Sequence, residues 1–463
     1  MPGIVPSALP EYHFLNRIAW SVTAESLAKV QRIGIPAYLE QQLAPETLPG
    51  AEVAVSPLLG QSLRTLRKNK QPWNKPYKAL LRGMVKRAVH SEAQLLERIV
   101  EFWSDHFNIA AEELEADVIE FQRVVIRRHA LGRFRDLLFA TARHPGMLYY
   151  LDNYLNVAEH PNENYARELM ELHTLGVDGG YTEVDVKEVA RAFTGWTAGY
   201  RSGKFYFADY DHDREAKAVL GQTLPAGRGI EDGEDVLDIL ANHPTTVRFV
   251  CRKLCIRFVS DNPPQSLVDK LAAAWEGSGG EIKPVLRALF LSNEFQAATG
   301  AKLRRPLDFF IAASRVTGTE FLKFWQLWYQ MSRMGQIPYD WHPPNGYPEP
   351  AGAWANANGL LSRWNVAQDL TETALWDQQE NQGKDFRTAL LKRVGNPATV
   401  GELVDRLGII VFGIGLESAF RDQLIAFAAD DGPETTLVSR KLLNAKLGTL
   451  AGLMLSSQQF QWR

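Results

Sequence analysis

The sequence predicts a mainly α-helical protein, one large multi-helix unit with at most a small β-hairpin. Three observations predict it. Apolar residues recur at helical spacing in most tracts, as at Leu80, Leu81, Met84, Val85 and Ala88, which fall on one face of a helix. Convincing period-2 alternation is scarce, with Lys204–Tyr210 the clearest stretch. No uninterrupted apolar run reaches the roughly 18 residues of a membrane span.

Taken in order, Leu15–Leu43 reads as two short helices broken at Gly34 and Pro36 and ending at Pro45. Residues 46–75 are mixed and punctuated by proline. A long helical tract starts near Pro76, and Glu92–Phe107 continues it with Leu95, Leu96, Ile99, Val100 and Trp103. Glu112–His129 is a helix with a charged face. Phe134–Arg143 is another, closed by His144-Pro145-Gly146. Lys204–Tyr210 belongs to a hairpin, and the Gly- and Asp-rich Gly221–Glu234 is a loop. Helices follow over Asp235–Ala241, Thr245–Val259, Pro284–Ser292 and from Pro306 to Val316. Residues 337–354, rich in Pro, Gly and aromatics, form an irregular loop, and the remainder is helical to Arg463. The chain reads as one unit over 1–463. The place where it would divide is 221–234, leaving 1–220 with a central polar motif and 235–463 with the aromatic loop.

Composition narrows the function classes. Among 463 residues, 51 basic and 54 acidic side chains give a formal net charge of -3, so nothing favours general binding to nucleic acid through counterion release. Two cysteines, Cys251 and Cys255, rule out a disulfide framework. They share a helix face as small buried apolar residues, and two ligands do not make a zinc site. There is no Gly-x-Gly-x-x-Gly, Walker A, His-Glu-x-x-His, Gly-x-Ser-x-Gly or Cys-x-x-Cys motif. The N-terminus lacks a basic region followed by an apolar core. As written the chain reads as cytoplasmic, or as periplasmic or exported if a leader is missing.

The densest polar stretch is Asn162–Gly176, with Pro161 and Gly176 as start and stop signals. At about 100° per residue, Asn164, Arg167, Glu168 and Glu171 share one stripe. Two readings stand side by side. One is a solvated face with i,i+4 pairs such as Glu163–Arg167. The other is the floor of a site, buried against other parts of the chain, where Glu168 and Glu171 bind a divalent metal or move protons and Arg167 orients them. His173 sits before the helix stop, about 200° from Glu171 on a regular helix, so the two cannot chelate one ion unless the helix unwinds. Thr182 and Asp185 resemble a capping box opening the next helix. His106 among aromatics, Asp152 after the apolar run Met147–Leu151, and His212 between Asp211 and Asp213 are further candidates.

The run Pro161–Gly176 (PNENYARELMELHTLG), continued by Gly180–Trp196 with its Tyr181-Thr182-Glu183 and Ala190-Arg191-Ala192-Phe193-Thr194-Gly195-Trp196, resembles the signature of the bacterial family called domain of unknown function 1800. The resemblance spans nearly the whole chain. It includes Phe102-Trp103 with His106-Phe107, Met147–Asn153, His212-Asp213 with Lys217 and Leu220-Gly221, His243-Pro244, Pro343–Trp354 and Arg363-Trp364-Asn365. It implies a large helical protein, a site at the central motif, and a partner in a genomically neighbouring sulfatase-like protein. Many members carry an export signal that this sequence lacks.

Three functions compete. The first is an enzyme with catalytic groups Arg167, Glu168, Glu171, His173 and Asp152, and with Glu168, Glu171, His106 and His212 as ligands of a divalent metal. Oxygen and imidazole donors of that kind suit Mn, Fe, Zn, Mg or Ca. The second is a non-catalytic binding or assembly partner of the sulfatase-like protein, with the polar helix a self-satisfied network. The third is a glycan-binding or glycan-cleaving protein, suggested by 12 Trp, the aromatic loop 341–354 and carboxylate pairs.

Overall fold

The computed structural model describes residues 9–68, 75–318, 324–372 and 386–463. Helices dominate it, and the described strands form two antiparallel two-stranded sheets. Buried apolar side chains from Tyr12 to Phe460 make one contiguous core cluster. No described helix is long and apolar enough to cross a membrane. Part of the helical tract expected near the C-terminus, residues 373–385, lies outside the described residues.

Most helical tracts lie where periodicity places them. Lys75–His90 buries Leu80, Leu81, Val85 and Ala88, and Gln94–His106 buries Leu95, Ile99, Phe102 and Trp103. The N-terminal region holds three helices where two were expected: Pro10–Ile18, Ala24–Ile33 and Ile35–Leu43. The extra start is a Thr23–Ser26 capping box, which satisfies the first free amides of the second helix. His144-Pro145-Gly146 closes one helix and opens another. The His144 Nδ1 accepts from the Gly146 amide at 3.0 Å, capping Pro145–Tyr150.

The hairpin pairs Trp196–Gly199 with Lys204–Phe207. The stretch expected as a loop from Gly221 is partly ordered: Lys217–Val219 pairs with Gln222–Leu224, and Val219 faces Gln222 across the turn. Both turn residues have positive φ, 50° at Leu220 and 77° at Gly221. A two-residue hairpin turn that matches strand twist needs that conformation; glycine adopts it freely and leucine does not. The helix expected at Asp235 starts earlier, at Glu231, and a helix over Gln265–Ser278 falls where no element was expected.

Two segments widen into π-helix, Gln122–Ile126 and Leu169–Thr174. The second lies inside the central polar motif. Leu175 and Gly176 both donate to the Met170 carbonyl, at 2.8 and 3.2 Å, and the Thr174 hydroxyl donates to the Leu169 carbonyl at 2.6 Å. The helix therefore does unwind beside His173.

Candidate functional site

The central helix does not bury its polar stripe. Asn164 is exposed, and Arg167, Glu168 and Glu171 are half-buried. Arg167 donates to both carboxylate oxygens of Glu183 at 2.6 and 2.8 Å and to Glu163 at 3.2 Å. Glu183 is the first residue of the next helix, whose capping box joins Thr182 and Asp185 as expected. The expectation that the stripe would face other parts of the chain away from solvent is corrected here, and the i,i+4 pair Glu163–Arg167 of the solvated reading is present. Partial burial, reinforced by the Glu171 charge, pushes the Glu168 carboxyl above the usual range.

The inward face of the same segment carries His173, which packs against His106 with ring centroids 6.1 Å apart. The His106 Nε2 lies 3.1 Å from the His173 carbonyl, which can only accept, so Nε2 carries the proton. The His106 Nδ1 is then the acceptor for the Lys253 ammonium at 2.9 Å. Burial, with the Lys253 charge beside it, holds His106 well below its usual pKa. Burial pushes His173 down to about 3, and neither of its ring nitrogens finds a partner. Both imidazoles are neutral at physiological pH.

His212 belongs to a different cluster. Its Nδ1 is 2.8 Å from the Thr194 carbonyl, and its Nε2 faces Asp232 at 3.4 Å. Asp232 in turn holds the buried Lys217 ammonium at 2.7 Å. The four expected ligands therefore do not form one set. Among the described residues no group of three or more His, Cys, Asp or Glu side chains is placed to hold a metal ion. Cys251 and Cys255 are free and buried.

An open cleft of about 1130 Å³ lies elsewhere on the molecule. Tyrosines 149, 150, 154, 200 and 206 line it, with the carboxylates of Glu112, Glu115, Asp117 and Asp152. Tyr200 is 69% exposed and Tyr206 48%. Arg67 organises one wall. It donates to Asp117 at 2.6 Å and to the Tyr200 carbonyl at 2.6 Å, and its guanidinium sits over the Tyr149 and Tyr200 rings. Although Arg67 opposes it, burial raises the Asp117 carboxyl to about 6. Glu115 is raised by burial as well. Asp152 is exposed at the rim with φ 59°, a left-handed conformation that costs energy and clusters at functional sites. Burial raises the Tyr150 hydroxyl, with a smaller effect from the Glu168 charge.

Sequence reasoning named Asp152 and missed this cleft, because its walls come from segments as far apart in the chain as Leu66 and His342. It also missed a buried ion network. There, Glu101, Asp105, Asp308 and Glu349 meet Arg98, Arg257, Arg305 and Arg463. Arg305 reaches Asp105 at 2.8 Å and Glu349 at 3.2 Å, and Arg463 reaches Asp308 at 2.8 Å. The loop 337–354 delivers Glu349. Its aromatics pack on one another, with Trp341 and Tyr347 4.7 Å apart. Their polar atoms bond within the loop, Trp341 to Asn345 and Trp354 to the Pro348 carbonyl. More exposed aromatic side chains lie elsewhere, at Tyr200 and Tyr206 of the cleft and at Tyr210, Trp325, Tyr329 and Trp364 outside it. The available signal for the network was charge on apolar helix faces, as with Arg98 and Glu101 among Leu95, Ile99 and Phe102.

The central motif, its neutral His pair and the segments resembling the family across the chain coincide with a match of residues 13–462 to the family described as "Protein of unknown function (DUF1800)". The chain belongs to the DUF1800 family. No curated protein and no solved structure matches it. In this DUF1800 chain the matched region includes the cleft, the central helix and the buried ion network except Arg463.

Proposed function

We propose that this DUF1800 chain is an enzyme that works by general acid–base chemistry on a glycan-type, polyhydroxylated ligand seated in the tyrosine cleft. The observation that carries this reading is Asp117: a nearly buried carboxyl in the wall of an open aromatic cleft, titrating near 6. A carboxyl so placed can give and take a proton near neutral pH, as general acid–base catalysis requires. Tyrosine faces suit the apolar faces of sugar rings, and their hydroxyls suit sugar hydroxyls. Asp152 on its left-handed backbone is the second carboxylate. A metal-dependent reaction is less favoured, since the carboxylates and imidazoles do not converge as a donor set among the described residues.

The test is incubation of the purified protein with a panel of soluble polysaccharides, scored for new reducing ends. Asp117→Asn and Asp152→Asn should each remove activity with the helical spectrum kept, and chelators should leave it intact. Tyr200→Ala should weaken substrate binding first. Absence of both binding and cleavage across the panel would overturn the reading.

A further inference from the structure

A second, smaller cavity lies away from the cleft. It holds about 40 Å³, room for roughly three water molecules by the space each needs. Its polar lining is dominated by guanidinium: Arg87, Arg123 and Arg127. Its apolar lining includes Trp20, Leu80 and Val100. Two carboxylates also border it, and both are already engaged. Glu97 is held by both terminal nitrogens of Arg127, one at 2.8 Å. Glu101 is clamped between Arg257 and Arg305 in the buried network.

Positive charge is therefore left over. Arg87 makes no hydrogen bond or ion pair among the described residues, although it is only half-exposed. Arg123 has only long contacts, to the Gln61 carbonyl at 3.3 Å and to Glu120 at 3.4 Å, and its Nε is buried with no partner. A buried guanidinium donor without a partner, as at the Arg123 Nε, is costly. A cavity that concentrates guanidinium groups beside an apolar wall favours a ligand that supplies acceptors.

Two backbone features point the same way. Gln122 and Arg123 reach the cavity from the π-helical segment Gln122–Ile126, and single π-turns concentrate at functional sites. Tyr339, which also lines it, has φ 66°, a strained conformation for a bulky residue.

We propose that this cavity binds a small carboxylate of two or three carbons, its carboxylate on Arg87 and Arg123 and its alkyl end on the apolar wall. A planar carboxylate matches the guanidinium fork. The apolar wall selects it over phosphate or sulfate, which have no apolar end.

The experiment is isothermal titration and thermal unfolding of the full chain with sodium acetate and propionate, against phosphate, sulfate and chloride at matched ionic strength. Propionate and acetate should bind and raise the melting temperature. Arg87→Met should weaken binding by roughly 10- to 100-fold, the loss of one charge-assisted pair. Arg123→Met, at a side chain that is 39% exposed, carries the same comparison if Arg87→Met does not fold. The proposal is overturned if neither carboxylate binds, if phosphate binds as tightly as propionate, or if the folded variants bind as wild type does.

Discussion

The Nζ of Lys253 lies 2.9 Å from the Nδ1 of His106. A cation thus donates to a neutral imidazole that is itself anchored on the His173 carbonyl. The arrangement joins the helix Pro244–Phe258 to the helix Gln94–His106 and the central π-segment. It also fixes the charge state of each partner, and the fixed charge states make stability depend on pH.

On the alkaline side, burial lowers Lys253 to about 8 from its usual 10.5. Asp105 and Glu349 oppose that shift. Between those values the unfolded chain holds a proton that the folded chain has released, so the Lys253 contribution to stability rises with pH across that window. Urea unfolding from pH 7.5 to 10.5 should give Lys253→Met a shallower rise than wild type. Identical slopes would place the shift elsewhere.

On the acid side the slope has the same sign. His173 and His144 are pushed down to about 3 and His13 to about 4, each mainly by burial. Below pH 6.5 the unfolded chain takes up protons that the native state refuses, so stability falls from pH 6.5 towards 3. His173→Leu should flatten part of that fall. At pH 7 it should be neutral or up to about 1 kcal/mol more stable, because it removes two unpaired buried nitrogens. Chemical denaturation at pH 7 and pH 5 reads both effects; equal acid sensitivity in variant and wild type would count against the prediction.

Two glutamates separate the surface from the buried network. Glu168→Ala leaves Arg167 paired with Glu183 and Glu163, so its cost should stay below about 1 kcal/mol. Loss of function in that variant can then be read as chemistry. Glu349→Ala strips Arg257 and Arg305 of a shared acceptor, and should cost about 3–5 kcal/mol. Denaturant midpoints compare the pair, and equal costs would contradict this division.

Gly346 anchors the loop 337–354. Its φ is 68°, and a Cβ there would sit 2.1 Å from the Asp105 carbonyl oxygen. Gly346→Ala adds a steric clash to backbone strain and should destabilise by at least about 1–3 kcal/mol. The same substitution at Gly352, where a Cβ meets nothing within 4 Å, should be close to neutral. A thermal melt of each variant decides.

Much of this protein was legible in the chain alone. Helical periodicity at Leu80–Ala88 and Leu95–Trp103 located helices because burial on one face is a local demand that each segment meets by itself. The capping box at Thr182 and the free, buried Cys251 and Cys255 were equally local. The run Pro161–Gly176 marked the family. The tertiary structure decided which face of that run looks inward. His173, within the π-helical segment, lies in the core, and Arg167, Glu168 and Glu171 are half-buried on the other side. The tertiary structure also decided which charges meet: Glu101 with Arg257 and Arg305, and Arg67 with Asp117. Those partners are 50 to 204 residues apart. Ion pairing acts through space and leaves no period in the sequence, so only the fold could assign them.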